Sequence, residues 1–241
     1  MASESGELTR DRVLIVGASR GIGLATACYL ARAGDDVTSW SRRGAPVEAI
    51  DEKIRERIRW EAVDVRDCRA VRTTYLRYQE SGHFVQSIVY AAGIARWGRI
   101  GEQSYDEFVE TYAVNTIGAF NVLSEYVAAY KRHPLRVIAL ASDAALFPAA
   151  TRSAYHSSKT ALSALLESYR QEARRDGALV TVIYLGKVNT SLVVRPEERS
   201  RMALQPAEVA ALVGYLLKLP RNLEIRSLQV SSITSPFGGS D

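Results

Sequence analysis

The sequence predicts an α/β fold, a single doubly wound domain with a seven-stranded parallel sheet and helices on both faces. Short apolar runs alternate with longer helical patterns along almost the whole chain. Such alternation is typical of βαβ units, whose right-handed crossovers cover both faces of one parallel sheet. The 241 residues fit one domain of this kind. We therefore predict one domain over residues 11–241, preceded by a flexible tail over residues 1–10.

The predicted strands are apolar runs, several of them rich in β-branched residues. In the first strand, four apolar residues are consecutive from Val13 to Val16. Strands are predicted at residues 12–17, 37–41, 59–65, 87–92, 135–142, 179–185 and 223–232. Helices are predicted at residues 21–33, 46–58, 67–82, 104–132, 152–176 and 206–218. Because such sheets bind ligands at the carboxyl ends of their strands, the residues after each strand are the candidates for chemistry.

The composition excludes several other classes of protein. An apolar fraction of 47% and a charged fraction of 24% are typical of a folded globular chain. Two cysteines, Cys28 and Cys68, provide neither a disulfide scaffold nor a zinc site, and we predict no metal. The net charge of +4 is spread along the chain, so we expect no nucleic-acid partner. We also expect no membrane partner and a cytoplasmic location, because neither a spanning run nor a secretory signal is found.

A glycine-rich loop follows the first strand, with the sequence Gly-Ala-Ser-Arg-Gly-Ile-Gly from residue 17. Gly17 permits a sharp turn, and Gly21 and Gly23 allow close backbone approach to a ligand and to the strand. The helix that follows offers free N–H groups and a partial positive charge to a pyrophosphate. An ordinary glycine-rich turn is the alternative. The predicted phosphate contacts are Gly17, Ser19, Arg20, Gly21, Ile22 and Gly23.

The Gly-x-x-x-Gly-x-Gly spacing resembles that of the short-chain dehydrogenase/reductase family, and later motifs extend the resemblance over residues 12–232. Tyr155 and Lys159 form a Tyr-x-x-x-Lys motif on one helix face, thirteen residues after the strand-end Ser142. The sequence Tyr-Ala-Ala-Gly from Tyr90 matches only the second half of the family's Asn-Asn-Ala-Gly. After the sixth strand, Leu185 replaces the proline of the family's Pro-Gly-x-Val-x-Thr. The resemblance implies a Rossmann fold and a ketoreductase-like activity.

The resemblance also implies roles for the site residues. Tyr155 is expected to be the general acid in carbonyl reduction and the general base in alcohol oxidation, with its phenolate favoured by the Lys159 ammonium. Ser142 is expected to hydrogen-bond the carbonyl oxygen and stabilise the developing alkoxide. Asn115 is a poor residue for the middle of a helix. In the family the matching asparagine holds a water in a proton relay to the lysine, whereas the alternative is a solvated helical asparagine.

The residues after the second strand indicate the cofactor. Where family members that select NAD have an acidic residue, this chain has Ser41, followed by Arg42 and Arg43. Guanidinium groups match the oxygens of a 2′-phosphate, and Arg20 adds a further positive charge. We therefore predict NADPH/NADP+, with solvated surface arginines as the alternative. By resemblance, the remaining cofactor contacts are Asp64, Val65, Ala92, Gly93, Tyr155, Lys159, Gly186, Val188 and Thr190.

The substrate is less well specified by the sequence. The segments expected to line its pocket, residues 94–97, 144–148 and 187–194, are largely apolar. Arg96, Arg152 and Lys187 add positive charge near them. These features favour a small-molecule carbonyl substrate with an apolar body and an acidic or carrier-bound end, although the cations could equally only solvate loops. The resemblance implies a homodimer or a homotetramer, because in the family long helices such as those at 104–132 and 152–176 pair between subunits.

The leading functional hypothesis is NADPH-dependent reduction of a ketone or aldehyde on a small-to-medium metabolite, with specialised metabolism as the preferred setting. An alcohol dehydrogenase or an oxidation–reduction epimerase could use the same residues. A non-catalytic NADPH-binding regulator is a third hypothesis. The presence of both Tyr155 and Lys159 disfavours it, because such regulators typically lose one of the two.

Overall fold

A computed structural model describes residues 11–131, 133–192 and 202–233 and contains one parallel sheet of seven strands. The strands are β1 (Arg12–Val16), β2 (Asp36–Ser41), β3 (Ile58–Ala62), β4 (Ser87–Tyr90), β5 (Arg136–Ser142), β6 (Leu179–Leu185) and β7 (Ser227–Val230). Their order in the sheet is β3-β2-β1-β4-β5-β6-β7, and every neighbouring pair is parallel. The order reverses between β1 and β4, which places a crevice at their carboxyl ends. The predicted fold is confirmed.

The helices lie on both faces of this sheet. They are α1 (Gly21–Ala33), α2 (Glu52–Arg55), α3 (Cys68–Glu80), α4 (Tyr105–Tyr112), α5 (Gly118–Tyr130), α6 (Ser153–Ala173) and α7 (Pro206–Leu217). Buried residues of α1, α2 and α7 share one apolar core, and those of α3, α5 and α6 share the other. Successive residues of β1 alternate between the two cores. This arrangement explains why the strand is apolar without interruption.

Aromatic side chains attach α3 and α5 to the sheet. The Trp40 ring of β2 lies 5.0 Å from the ring of Tyr75, and its indole N–H donates to the Tyr78 hydroxyl at 2.9 Å. Tyr126 of α5 packs edge-on against Tyr75, and its hydroxyl donates to the Val85 carbonyl at 2.9 Å. The buried indole N–H of Trp40 and the buried hydroxyl of Tyr126 thus each have a hydrogen-bond acceptor, as is usual for buried polar groups.

Three predicted elements differ most from the observed ones, and β3 and β4 also end earlier, at Ala62 and Tyr90. The helix expected at 46–58 is limited to α2, because residues 43–51 are not helical and pack against the phosphate loop, where the Val47 N–H donates to the Ser19 carbonyl. The helix expected at 104–132 is divided by a π-helical turn at Ala113–Ile117. The seventh strand begins at Ser227 instead of residue 223. The predicted tail at residues 1–10 lies outside the described residues.

The described part of the chain contains no helix long and apolar enough to cross a membrane. Over the same residues, no group of three or more His, Cys, Asp or Glu side chains could hold a metal ion.

Candidate active site

The glycine loop between β1 and α1 packs closely on neighbouring backbone and lines a cleft. Gly17 has a φ of +94°, and a Cβ atom there would lie 2.6 Å from the Cα of Ala92. At Gly23 a Cβ would meet the Gly17 carbonyl oxygen, so the start of α1 packs directly on the loop. Arg20 occupies the N-cap position of α1 without capping through its side chain, and the first turn carries no acidic residue. A phosphate can therefore approach the backbone N–H groups of the first turn of α1.

One carboxylate already lies at this helix end. The Gly21 N–H donates to Glu48 Oε1 at 3.2 Å, and Glu48 is exposed on the segment that packs against the loop. A carboxylate is an acceptor for an α1 N–H, as a phosphate would be. Sequence reasoning missed Glu48, because residue 48 was assigned to a helix and its approach depends on the turns before α2.

The predicted cofactor residues gather mostly around one cleft at the carboxyl ends of β1, β2 and β4. Its lining includes Gly17, Ser19, Arg20, Gly21, Ile22, Gly23, Ser41, Arg42, Asp64, Val65, Ala92, Gly93 and Thr190. Arg43 is exposed and lines neither this cleft nor the adjoining one. Gly186 and Val188 line the adjoining cleft, which shares Ile22, Gly93 and Thr190 with the first. The two clefts are therefore parts of one crevice.

At the end of the first cleft beside β2, a buried polar atom lies next to an exposed cation. Ser41 is only 9% exposed, and its hydroxyl has no hydrogen-bond partner among the residues described. Arg42 beside it is exposed. Asp64 is paired with Arg66 at 2.6 Å, and this pairing is the main reason that the pKa of Asp64 is lowered, with a smaller contribution from Arg42. An unpaired buried hydroxyl beside a cation fits a ligand with acceptor oxygens.

The adjoining cleft brings together Ser142, Tyr155 and Lys159. Ser142 ends β5, while Tyr155 and Lys159 lie one turn apart on α6, and all three are less than 9% exposed. The Lys159 ammonium donates to the Leu140 carbonyl at 2.9 Å. Burial lowers the pKa of Lys159 to about 8. In this structure the Ser142 hydroxyl donates to Asp143 Oδ1 at 3.1 Å, so a carbonyl ligand would compete for that donor.

Asn115 lies behind this cleft, in the π-helical turn. Its Nδ2 group donates to the Ile94 carbonyl and to Ser158 Oγ, both at 3.0 Å, while its Oδ1 accepts from the Ile94 N–H at 2.8 Å. A Cβ atom added at Gly93 would lie 3.3 Å from Lys159 Nζ and 3.4 Å from Asn115 Oδ1. Asn115 therefore ties the loop after β4 to α6 beside Lys159. The predicted water relay stays a prediction.

Tyr90 supplies a contact that sequence reasoning did not find. Its ring is buried at the end of β4, and its hydroxyl donates to the Val114 carbonyl at 2.5 Å, one residue before Asn115. Burial raises the pKa of Tyr90, which keeps its hydroxyl protonated and able to donate. A Cβ atom at Gly118 would lie 2.6 Å from this hydroxyl oxygen. Tyr90 therefore holds the π-helical turn where the family has an asparagine.

The loop after β6 is ordered by backbone pairing, although Leu185 replaces the family's proline. The Gly186 N–H donates to the Val230 carbonyl at 2.8 Å, and the Leu204 N–H donates to the Lys187 carbonyl at 3.0 Å. The side chain of Thr190 approaches Gly21, since a Cβ there would lie 3.4 Å from Thr190 Cγ2. The predicted pocket residues Val193 and Val194 lie outside the described residues.

Comparisons with known proteins agree with this geometry. Residues 11–200 match the profile of the short chain dehydrogenase family. A 2,3-dihydro-2,3-dihydroxybenzoate dehydrogenase of Escherichia coli (strain K12) is 32% identical over 210 residues, which cover 87% of this chain and 80% of that protein. The structure of an alcohol dehydrogenase from the archaeon Thermococcus sibiricus, complexed with 5-hydroxy-NADP, matches with a TM-score of 0.83 at 27% identity, over 94% of this chain and 99% of that one.

A serine dehydrogenase complexed with NADP+ matches with a TM-score of 0.84 at 20% identity, over 95% of this chain and 98% of that one, and this likeness shows the fold alone. The predicted family resemblance is confirmed by the profile match and by the Escherichia coli relative. The chain belongs to the short-chain dehydrogenase/reductase family and is an oxidoreductase.

Proposed function

We propose that the protein reduces a ketone or aldehyde of a small-to-medium metabolite to an alcohol, with NADPH as the hydride donor. The observation that carries this proposal is the meeting of Ser142, Tyr155 and Lys159 in one cleft that joins the glycine-lined crevice. Family membership supports hydride transfer as the reaction class.

The residues of the first cleft fit a dinucleotide with a 2′-phosphate. The unpaired hydroxyl of Ser41 and the exposed guanidinium of Arg42 stand together at the end of β2. Gly17 lines this cleft and packs so closely on the Ala92 backbone that no side chain would fit there. The Thermococcus sibiricus neighbour was solved with an NADP derivative, which also supports NADPH over NADH.

The chain's own groups supply the proton and the charge stabilisation. When bound, the nicotinamide supplies a hydride to the carbonyl carbon, and with it both electrons. The Ser142 hydroxyl turns from Asp143 to donate to the carbonyl oxygen, where negative charge develops. Tyr155 gives its hydroxyl proton to that oxygen, which completes the CH–OH group. Lys159, protonated at neutral pH, stabilises the phenolate that remains.

The reverse reaction, oxidation of an alcohol with NADP+, is the second candidate. The similar proteins of Escherichia coli and Thermococcus sibiricus are both dehydrogenases, which favours this direction. In that direction Tyr155 accepts the proton, and the same residues act in reverse. Rates measured from both sides, with NADPH plus carbonyl compounds and with NADP+ plus the matching alcohols, distinguish the two candidates.

The primary test is NADPH oxidation by the purified protein over a broad panel of carbonyl compounds. Tyr155→Phe is expected to lower turnover by about 100-fold or more, since general acids contribute that much, while NADPH binding measured by fluorescence is retained. Tyr169→Phe changes a tyrosine of the same helix that does not line the cleft, and it should leave turnover unchanged. Equal turnover in Tyr155→Phe and wild type would contradict the proposal, and NADPH binding without any turnover would favour the regulator.

We also infer a homodimer or homotetramer. The apolar side chains of Phe108 and Val109 in α4, Ile117 in the π-helical turn, and Phe120 and Val127 in α5 are all at least 39% exposed. Clustered exposed apolar residues mark interaction surfaces. A monomer by light scattering at working concentration would contradict this inference. The cytoplasmic location, the metabolic setting and a carrier-bound substrate stay predictions.

A further inference from the structure

The Ser142–Tyr155–Lys159 cleft has two sides with different chemistry. On one side, Ile22, Gly186 and Thr190 continue the crevice assigned to the cofactor. Trp97, Thr151 and Arg152 line this cleft but not the first one. None of these three residues belongs to the predicted catalytic or cofactor set. They form the wall that a substrate would meet when its carbonyl group faces Tyr155.

Trp97 and Arg152 form a cation–π pair beside Tyr155. The Trp97 ring lies 5.4 Å from the Tyr155 ring in an edge-on arrangement. The Arg152 guanidinium carbon lies 5.3 Å from the centroid of the Trp97 ring. A guanidinium over an indole ring is held there by cation–π attraction, and its N–H groups can still donate hydrogen bonds to a ligand.

The backbone fixes this pair in place. Gly98 and Arg152 form an isolated parallel bridge, and the Gly98 N–H donates to the Thr151 carbonyl at 2.9 Å. Thr151 has a φ of +65°, an unfavourable conformation for a β-branched residue. Strain of this kind persists where surrounding contacts impose it, and it is concentrated at ligand sites. The loop after β4 and the start of α6 are thus locked to each other at this wall.

The charge of Arg152 is not neutralised within the part of the chain that the structure describes, where no carboxylate lies within 4 Å of its guanidinium. Arg96, in the same loop as Trp97, differs in this respect, because it pairs with Glu110 at 3.1 Å and does not line the cleft. Among the described lining residues, Asp143 is the only acidic one, and it accepts the Ser142 hydroxyl. Lys187 adds a further positive charge to the cleft.

We propose that Arg152 and Trp97 form a substrate subsite, in which the Arg152 guanidinium binds a carboxylate and Trp97 packs against the planar, apolar body of the same molecule. A carboxylate is planar and accepts two parallel hydrogen bonds from a guanidinium. The substrate class is therefore an oxo acid whose carbonyl group reaches Tyr155. This proposal rests on the proposed function, because it assumes that the reacting carbonyl lies at Tyr155.

The test uses two isomeric probes, 3-acetylbenzoate and 4-acetylbenzoate, each with its uncharged methyl ester. The acid and the ester share the ring and the ketone, so their difference isolates the carboxylate. Binding to the protein loaded with NADP+ is measured by calorimetry, which needs no turnover, and kcat/KM is then measured with NADPH. At least one acid is expected to bind about tenfold or more tightly than its ester, since hydrogen bonds to charged groups are worth that much.

Arg152→Gln is expected to bring the acid-to-ester affinity ratio close to one without changing the affinity for the ester. Trp97→Leu should weaken the acid and the ester alike. Arg96→Gln is the matched control, since it removes an arginine of the adjacent loop that is already paired, and it should leave the ratio unchanged.

Several results would overturn the subsite. They are an acid that binds no more tightly than its ester, no measurable binding of either acid at millimolar concentration, or a preference that survives Arg152→Gln and disappears in Lys187→Gln. The proposed function fails separately. Reduction of the esters without acid preference keeps the reductase and refutes the subsite, whereas acid preference in binding with no turnover of any compound in the carbonyl panel keeps the subsite and refutes the reductase.

Discussion

The hydrogen bond from Tyr90 to the π-helical turn gives the most specific prediction. Tyr90→Phe removes one hydroxyl and leaves the ring, so the packing at the end of β4 is preserved. The Val114 carbonyl then loses the donor that lies 2.5 Å away. The loss of one buried hydrogen bond costs about 0.5–1.5 kcal/mol. For a domain of this size, that loss lowers Tm by about 2–4 °C for each kcal/mol.

The expected effect on activity follows from the position of Val114. Asn115 is the next residue, and its side chain joins the loop after β4 to Ser158 of α6. A π-helical turn without the Tyr90 bond can relax toward a regular helix, which would shift Asn115 relative to Lys159. We expect kcat to fall about tenfold, which corresponds to a loss of about 1.4 kcal/mol in the transition state. KM and the affinity for NADPH should change much less.

A matched control separates this effect from a general loss of stability. Tyr126→Phe removes a hydroxyl that donates to the Val85 carbonyl at 2.9 Å, and that bond is equally buried but does not contact the site. Urea unfolding should show similar losses of stability in the two variants, while only Tyr90→Phe should lose kcat. If kcat falls equally in both variants, or in neither, the assignment of Tyr90 as a positioning residue is wrong.

Three further predictions concern the cofactor and the pH dependence. Arg42→Asp should shift the ratio of kcat/KM values from NADPH toward NADH. Arg43→Asp is the control, since Arg43 is exposed and lies outside both clefts, and it should shift the ratio much less. Equal shifts in the two variants would contradict the role of Arg42. Glu48→Gln should lower the Kd for NADPH about two- to fivefold in fluorescence titrations, because it removes a negative charge bonded to the Gly21 N–H, and an unchanged Kd would refute this competition. Because burial lowers the pKa of Lys159 to about 8, its ammonium is lost as the pH rises through that value. The kcat/KM for carbonyl reduction should therefore fall above about pH 8 in a stopped-flow pH profile. A kcat/KM that stays unchanged between pH 7 and 10 would contradict the role of the cation.

The strands could be predicted well because the physical cause of their pattern is local. A parallel strand covered on both faces needs apolar residues at consecutive positions, and this requirement appears directly in the run from Val13 to Val16. The segment at 46–58 could not be predicted in the same way. Its residues have a helical pattern, but the Val47 bond to Ser19 holds the chain in turns, and that contact joins residues 28 positions apart.

The same distinction applies to the site. Residues that belong to spaced motifs, such as Tyr155 and Lys159, could be placed from the sequence because one helix turn sets their relative position. Arg152 and Trp97 carry no such spacing. They are brought together by the bridge between Gly98 and Arg152 and by the positive φ of Thr151. No sequence pattern indicates this bridge, and a threonine does not indicate a positive φ. Glu48 likewise reaches α1 only because its segment is not helical.

Tyr90 shows why a departure from a family motif does not by itself indicate a lost function. By motif comparison, an asparagine has been replaced by a larger aromatic residue, which suggests a weakened site. In the structure the larger side chain reaches across to the Val114 carbonyl and donates a hydrogen bond there. The space for its hydroxyl exists because residue 118 is glycine, where any Cβ atom would lie 2.6 Å from the Tyr90 oxygen. Positions 90 and 118 therefore depend on each other, and the effect of the substitution can be judged only when both are considered.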